Sequence, residues 1–271
     1  MKITSIKGFA DILPEEVGAW QRVEAVVRQI FDAYHFAEIR IPIVEKTELF
    51  SRSIGETTDI VEKEMYTFDD RDRTRITLRP EGTAGVVRTY IQSEMYKVEP
   101  VRKLYYMGPM FRRERPQKGR LRQFHQIGAE ALGRSDPFID AEILLLLNDF
   151  FGAVGLTELS LQINSLGDSE CRPQYREKLL AFLKAREESL CANCRRRIDR
   201  NPLRALDCKE PGCIAATQNA PSILDSLCVN CEEHFATVQR LLRETNVEYT
   251  LNPRMVRGLD YYCRTTFEWT T

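Results

Sequence analysis

The sequence carries almost no net charge: 39 lysines and arginines are set against 40 aspartates and glutamates, a balance of −1. That excludes the global basicity by which many nucleic-acid binders are recognised, so any RNA contact must rest on local patches. Long apolar runs are missing too. The most apolar, Leu144 to Leu147, is closed by Asn148 and Asp149, far short of the roughly 20 residues that span a bilayer. The start, Met1-Lys-Ile-Thr-Ser-Ile-Lys-Gly8, lacks the apolar core of a secretory signal. No membrane partner is expected. With no export signal, the eight cysteines are read in a reducing cytoplasm, where paired thiols suggest metal before disulfide.

What is present is enough apolar material, 43% of 271 residues, for one large domain plus an insertion. Its most informative stretch is 105–130. β-Branched and aromatic residues (Val101, Leu104, Tyr105, Tyr106) lead to a Pro116-Gln-Lys-Gly119 turn, and an alternating run returns from Leu121 to Glu130. This spacing predicts a long antiparallel hairpin. Arg112, Arg113, Arg115, Lys118, Arg120 and Arg122 are set against Glu114 alone. Planar guanidinium groups grip phosphate oxygens two at a time, so the cluster suits a triphosphate or a nucleic-acid backbone; a solvated basic hairpin is the plainer alternative. By the two-residue period, Phe124, Gln126, Gly128 and Glu130 share one face, and Gln123, His125 and Ile127 the other.

Elsewhere, Pro14, Glu15 and Glu16 open a helix whose apolar stripe runs from Val17 to Tyr34, and Ala37 to Val44 alternates as a strand with Pro42 at an edge or terminus. Met65 to Leu78 reads as a second hairpin. Arg79-Pro-Glu-Gly-Thr83 then starts a helix, where Glu81 either complements the helix dipole or accepts an α-ammonium group, with Thr83 beside it. A helix over 136–154 and a strand over 159–164 follow. From about residue 170 the pattern turns to charged helix and loop until about 246, predicting an insertion (170–246) between a core of 1–169 and a return to sheet over 247–271.

The insertion holds Cys191-Ala-Asn-Cys194, Cys208-Lys-Glu-Pro-Gly-Cys213 and Cys228-Val-Asn-Cys231. Two C-x-x-C knuckles suit tetrahedral zinc, which makes Cys191, Cys194, Cys228 and Cys231 the expected shell of a structural site; free thiols are the alternative. Arg195, Arg196, Arg197 and Arg200 offer either a phosphate contact or a solvated face. Near the end, Arg257-Gly-Leu-Asp-Tyr-Tyr262 brings a cation beside a glycine, and it sets Tyr261 and Tyr262 on opposite faces.

Two of these stretches carry a family resemblance. Phe111-Arg-Arg-Glu-Arg-Pro-Gln-Lys-Gly-Arg-Leu-Arg-Gln-Phe-His-Gln-Ile-Gly-Ala-Glu130 resembles motif 2 of the class II aminoacyl-tRNA synthetases. The run Arg257-Gly-Leu-Asp-Tyr-Tyr-Cys-Arg-Thr-Thr-Phe-Glu268 resembles the first histidine motif of the histidyl-tRNA synthetase family. The resemblance implies an α+β fold, a class II antiparallel sheet flanked by helices with a mainly helical insertion, and a homodimer formed through the first helix and the Pro42 strand. It implies activation of L-histidine by ATP with Mg, followed by transfer to tRNA(His). In that reading Arg112 and Arg257 meet the α-phosphate, and Glu114 joins Arg112 at ATP. Glu81, Thr83 and Gln126 hold the ammonium group. Glu130 and Tyr262 read the imidazole, Tyr261 lines the pocket, and Gln117, Lys118 and Arg120 touch the tRNA acceptor end. The chain stops before the family's second histidine motif, motif 3 and anticodon-binding domain, so a truncated catalytic region is expected. The rival expectation is a non-catalytic, histidine-binding paralogue that regulates ATP phosphoribosyltransferase; such proteins usually have eroded motifs, whereas Arg112, Glu130 and Arg257 are intact here.

Overall fold

The first helix shows how local chemistry sets an element's ends. In a computed structural model describing residues 3–54, 64–114, 119–256 and 262–271, α1 spans Pro14–Ala33 with Pro14 in its first turn and Glu15 and Glu16 beside its N-terminus. It stops because His35 adopts a left-handed conformation (φ 59°), which lets the Phe36 N–H reach back to the Phe31 carbonyl at 2.8 Å. Val27 and Phe31 are its buried residues.

The remaining elements follow in chain order: β1 (Ala37–Glu38), β2 (Val44–Lys46), α2 (Thr47–Ile54), β3 (Tyr66–Asp69), β4 (Arg75–Leu78), α3 (Thr83–Gln92), α4 (Met95–Val98), β5 (Arg102–Phe111), β6 (Gln123–Leu132), α5 (Pro137–Ala153), β7 (Ser160–Ser165), α6 (Arg172–Lys184), α7 (Ala192–Arg197), α8 (Pro211–Ala216), α9 (Val229–Glu244), β8 (Tyr249–Leu251) and β9 (Thr265–Thr270). They form two compact units, one of residues 1–135, 146–155 and 259–261, the other of 136–145, 156–258 and 262–271.

In the first unit, β5 and β6 pair antiparallel from Arg102↔Leu132 to Phe111↔Gln123, the predicted hairpin. The smaller hairpin is β3–β4. The strand expected over 37–44 is instead two short ones on different sheets: β1 runs parallel to β5, while β2 pairs antiparallel with β4. Pro42, which has no N–H for a ladder, lies in the break. Arg79 spans that break. Its buried guanidinium donates to the carbonyls of Ile41 (2.7 Å) and Pro109 (2.9 Å). A core of Ile41, Val86, Leu104, Tyr106 and Met110, backed by Phe124, lies on this side of the hairpin.

In the second unit, β7 lies between β8, parallel to it, and β9, antiparallel. Four of the six strand pairings among the described residues are antiparallel, in keeping with the expected α+β fold, and β1–β5 and β7–β8 are parallel. Leu161 and Ile163 of β7 share one core with Phe235, Val238 and Leu242 of α9, so the segment expected as an insertion packs on the β7 strand. A second cluster, around Tyr175, Leu179, Leu183, Cys194, Ile198 and Cys213, holds the short helices together.

Candidate active site

Antiparallel pairing puts directly opposed side chains on one face. Leu104 lies opposite Glu130, Tyr106 opposite Gly128 and Gly108 opposite Gln126, so Gln126 and Glu130 share a face with Tyr106, as the alternation predicted. Tyr106 was not foreseen as part of the site. A Cβ at either Gly82 or Gly128 would overlap its ring, so the two glycines form the slot that holds it. Its hydroxyl is bonded to Thr83 and the Gly82 backbone, near Glu81 and Glu130; burial first, then those carboxylates, raise its pKa and keep the phenol protonated. The signal for this slot was in the sequence as two glycines, Gly82 and Gly128, on stretches already singled out.

Three of the expected amino-acid ligands meet here. The Thr83 hydroxyl donates to Glu130 Oε1 at 2.7 Å. Glu81, only 6% exposed, accepts from the Thr83 N–H (2.7 Å) and the Ala84 N–H (3.0 Å). It satisfies two free amides at the start of α3, so its helix-capping role is real and the carboxylate is fixed by it. Burial pushes the Glu130 carboxyl up to about 7; the Thr83 bond opposes this and the neighbouring Glu81 adds to it. A carboxyl in that range can act as donor or acceptor near neutral pH.

The arginine side of the hairpin is partly braced from within. Arg112 Nε donates to the Pro80 carbonyl (2.9 Å), and its guanidinium lies 5.2 Å from the Phe124 ring centroid. Its Nη1 is 4.0 Å from Glu114, which Arg120 also approaches at 3.3 Å. Arg112 is thus aimed along the Phe124 face and tied to the loop that carries Glu81. Arg122 bonds instead to the carbonyls of Glu114 and Lys7, and its N–H to the Gly8 carbonyl, so its role is structural. On the opposite face His125 packs edge-on against Trp20 (4.6 Å), and burial lowers its pKa. Gln117, Lys118, Arg257 and Tyr261 lie outside the described residues. Tyr262 leads into β9, and its carbonyl accepts a bond from Arg172.

The expected zinc shell needs correction. Cys191 and Cys194 do not come together with Cys228 and Cys231. Cys191 and Cys194 cluster with Cys208 and Cys213, whereas Cys228 and Cys231 cluster with Asp168 and Cys171, each set with its ligand atoms within 4.8 Å of one another. The knuckles sit at the starts of different helices, α7 and α9, and each meets a different pair of side chains. The x-x spacing of Asp168 to Cys171 equals that of the knuckles and was the overlooked signal.

Among the described residues, no helix is long and apolar enough to cross a membrane. Residues 8–270 match the histidyl-tRNA synthetase family. The chain is 62% identical over all 271 residues to the histidine–tRNA ligase of Trichlorobacter lovleyi, spanning 65% of that protein. It superposes on the apo histidyl-tRNA synthetase of S. aureus with a TM-score of 0.77 at 37% identity, covering 99% of this chain and 61% of that one. A Bacillus halodurans structure described as an ATP phosphoribosyltransferase regulatory subunit/histidyl-tRNA synthetase shares the fold, with a TM-score of 0.71 at 18% identity, covering 100% of this chain and 73% of that one. With the motif 2 hairpin, the Glu81–Thr83–Glu130 cluster and a family match running almost end to end, the chain belongs to the histidyl-tRNA synthetase family.

Proposed function

We propose that this chain forms the histidine-activating part of a histidine–tRNA ligase. The observation that carries the reading is the bonded trio of Glu81, Thr83 and Glu130 under the Tyr106 ring, on the same hairpin face as Gln126. Fixed carboxylates at the floor suit a cationic amino group and a nitrogen heterocycle, because a ligand lacking those nitrogens would leave buried polar groups unpaired. Glu81, Thr83 and Gln126 take the ammonium group and Glu130 one imidazole nitrogen. Arg112, held by Pro80 and stacked over Phe124, stabilises charge on the α-phosphate of ATP as the histidine carboxylate attacks and pyrophosphate leaves. ATP arrives with its Mg²⁺ as substrate, and Glu114 helps seat it beside Arg112. The resemblance adds Arg257 for the phosphate, Tyr261 and Tyr262 for the imidazole, and Gln117, Lys118 and Arg120 for the acceptor end of tRNA(His). A cytoplasmic homodimer is the proposed setting. We read the thiols of the second unit as holders of structural zinc with no part in the reaction, since sites whose ligands are all protein side chains leave no open position for substrate.

Histidine-dependent ATP–pyrophosphate exchange tests the reading, with histidine titration of the same chain. Glu130→Ala removes a charged hydrogen-bond partner worth about 1.5–3 kcal/mol, which weakens histidine binding by roughly 10- to 100-fold. Arg112→Ala abolishes exchange while histidine still binds. Histidine binding with no ATP binding in the unsubstituted chain favours the regulatory paralogue, and binding of neither ligand refutes both.

A further inference from the structure

Seven of the eight cysteines fall into the two thiol-rich quartets, and Cys263 alone stands apart. The quartets are drawn from distant parts of the sequence: Cys191 and Cys194 at the start of α7 meet Cys208 and Cys213 before and within α8, while Asp168 and Cys171 before α6 meet Cys228 and Cys231 at the start of α9. All eight thiols are free. In each quartet two side chains are buried and two partly exposed, which leaves an approach for an ion.

The spacings fit one ion per quartet. Zinc with sulfur ligands at about 2.3 Å sets tetrahedral sulfurs about 3.8 Å apart, and a sulfur and a carboxylate oxygen about 3.5 Å apart. Cys191 Sγ and Cys208 Sγ are 3.9 Å apart. Asp168 Oδ1 lies 3.5 Å from Cys171 Sγ and 3.9 Å from Cys228 Sγ. Backbone N–H groups already point at these sulfurs: Cys191 N–H at Cys213 Sγ (3.1 Å), Cys194 N–H at Cys191 Sγ (3.4 Å) and Asp168 N–H at Cys171 Sγ (3.3 Å). Soft thiolates in a four-coordinate cage select zinc over hard cations. The region also has a use for cross-links, because α7 and α8 are six residues each, too short to be stable by themselves.

We propose that the second unit holds two separate zinc centres, Cys191, Cys194, Cys208 and Cys213 in one and Asp168, Cys171, Cys228 and Cys231 in the other, and that the second centre braces the backbone at 262–264. The bracing follows from what the Asp168–Cys171 turn touches. The Leu166 N–H donates to the Arg264 carbonyl and the Arg264 N–H to the Gly167 carbonyl, both at 2.7 Å. Arg172, next to Cys171, donates to the carbonyls of Leu166 (3.2 Å) and Tyr262. A Cβ at Gly167 would meet Cys171 Sγ, so this turn closes directly onto a ligand. The ion binds as the thiols release their protons to solvent, and it pins the turn to the start of α9.

This rests on the zinc reading given above, and the test separates the two. The chain is purified under reductant without added metal or chelator, and its elements are measured by mass spectrometry together with hydrogen exchange. Two zinc ions per chain are expected, with one retained in Cys208→Ser/Cys213→Ser and one in Cys228→Ser/Cys231→Ser. No zinc overturns the zinc reading itself, and one zinc in the unsubstituted chain overturns the second centre alone. Cys228→Ser/Cys231→Ser should speed exchange of the Leu166 and Arg264 amides on the order of tenfold, whereas Cys208→Ser/Cys213→Ser leaves them unchanged. Equal exchange in the two variants overturns the bracing, and loss of both ions from either variant overturns the separateness of the two centres.

Discussion

Replacing Glu130 by glutamine isolates the electrostatics of the cluster, because glutamine keeps the shape and an oxygen for the Thr83 hydroxyl but cannot ionise. Burial lifts the Glu130 carboxyl from 4.5 to about 7 in the folded chain. Between those values the folded chain binds a proton that the unfolded chain has released, so this group contributes stability that is complete below about pH 4.5 and is lost as pH rises through 7. The difference converts to about 3 kcal/mol. Urea unfolding at pH 5 and pH 8 reads it, with Trp269→Phe in both chains so that Trp20, in the first unit, is the reporter. All other titrating groups cancel in the comparison. The unsubstituted chain should lose about 2.5 kcal/mol more than the glutamine variant over that interval. Parallel pH profiles would refute the reasoning, since they mean that Glu130 titrates alike in the folded and unfolded chains. The sign also bears on ligand binding: a carboxyl poised near 7 releases part of a proton when a ligand N–H fixes it as the carboxylate. Calorimetry of histidine binding in buffers of different ionisation enthalpy should detect that release at pH 7.

The remaining expectations concern the frame around the cluster. Gly128→Ala drives a methyl into the Tyr106 ring and should cost about 1–3 kcal/mol by thermal unfolding, whereas Gly18→Ala, facing open space on α1, should stabilise by about 0.5–1 kcal/mol. If Gly128→Ala were as benign as Gly18→Ala, the slot would not be what holds the tyrosine. Arg79→Met leaves the Ile41 and Pro109 carbonyls without their buried donor and should cost about 2–6 kcal/mol, at about 1–3 for each orphaned group; an unfolding midpoint equal to the parent's would show that water replaces it. Leu242→Ala empties a fully buried position between α9 and the β7 sheet and should cost about 2–5 kcal/mol. That loss should be seen by Trp269, which packs against the same cluster, and a signal confined to Trp20 would contradict the packing.

Local rules made much of this molecule legible. Pro14 with two glutamates marked α1, and alternation from Leu121 to Glu130 marked β6 and the face on which Gln126 and Glu130 lie. Alternation fails at 37–44 because it reports which side chains could share a face, not which strand is the neighbour: Glu38 and Val44 obey the period yet pair with different sheets. Parallel pairing of β7 with β8 was likewise invisible, since the partners are more than 80 residues apart and no turn records their direction. The site divides along the same line. Glu81, Thr83 and Glu130 could be named from their motifs, whereas Tyr106 looked like any buried strand tyrosine until two glycines on separate elements met at its ring. The cysteines carry the sharpest form of this limit. A C-x-x-C knuckle states that two sulfurs can share an ion, but which other pair completes the shell depends on which helix starts lie side by side. In this chain each knuckle lies beside a pair less conspicuous than its twin: Cys208 with Cys213 at a wider spacing, and Asp168 with Cys171 without a second thiol. Matching like with like was the error, and the correction follows from tertiary proximity alone.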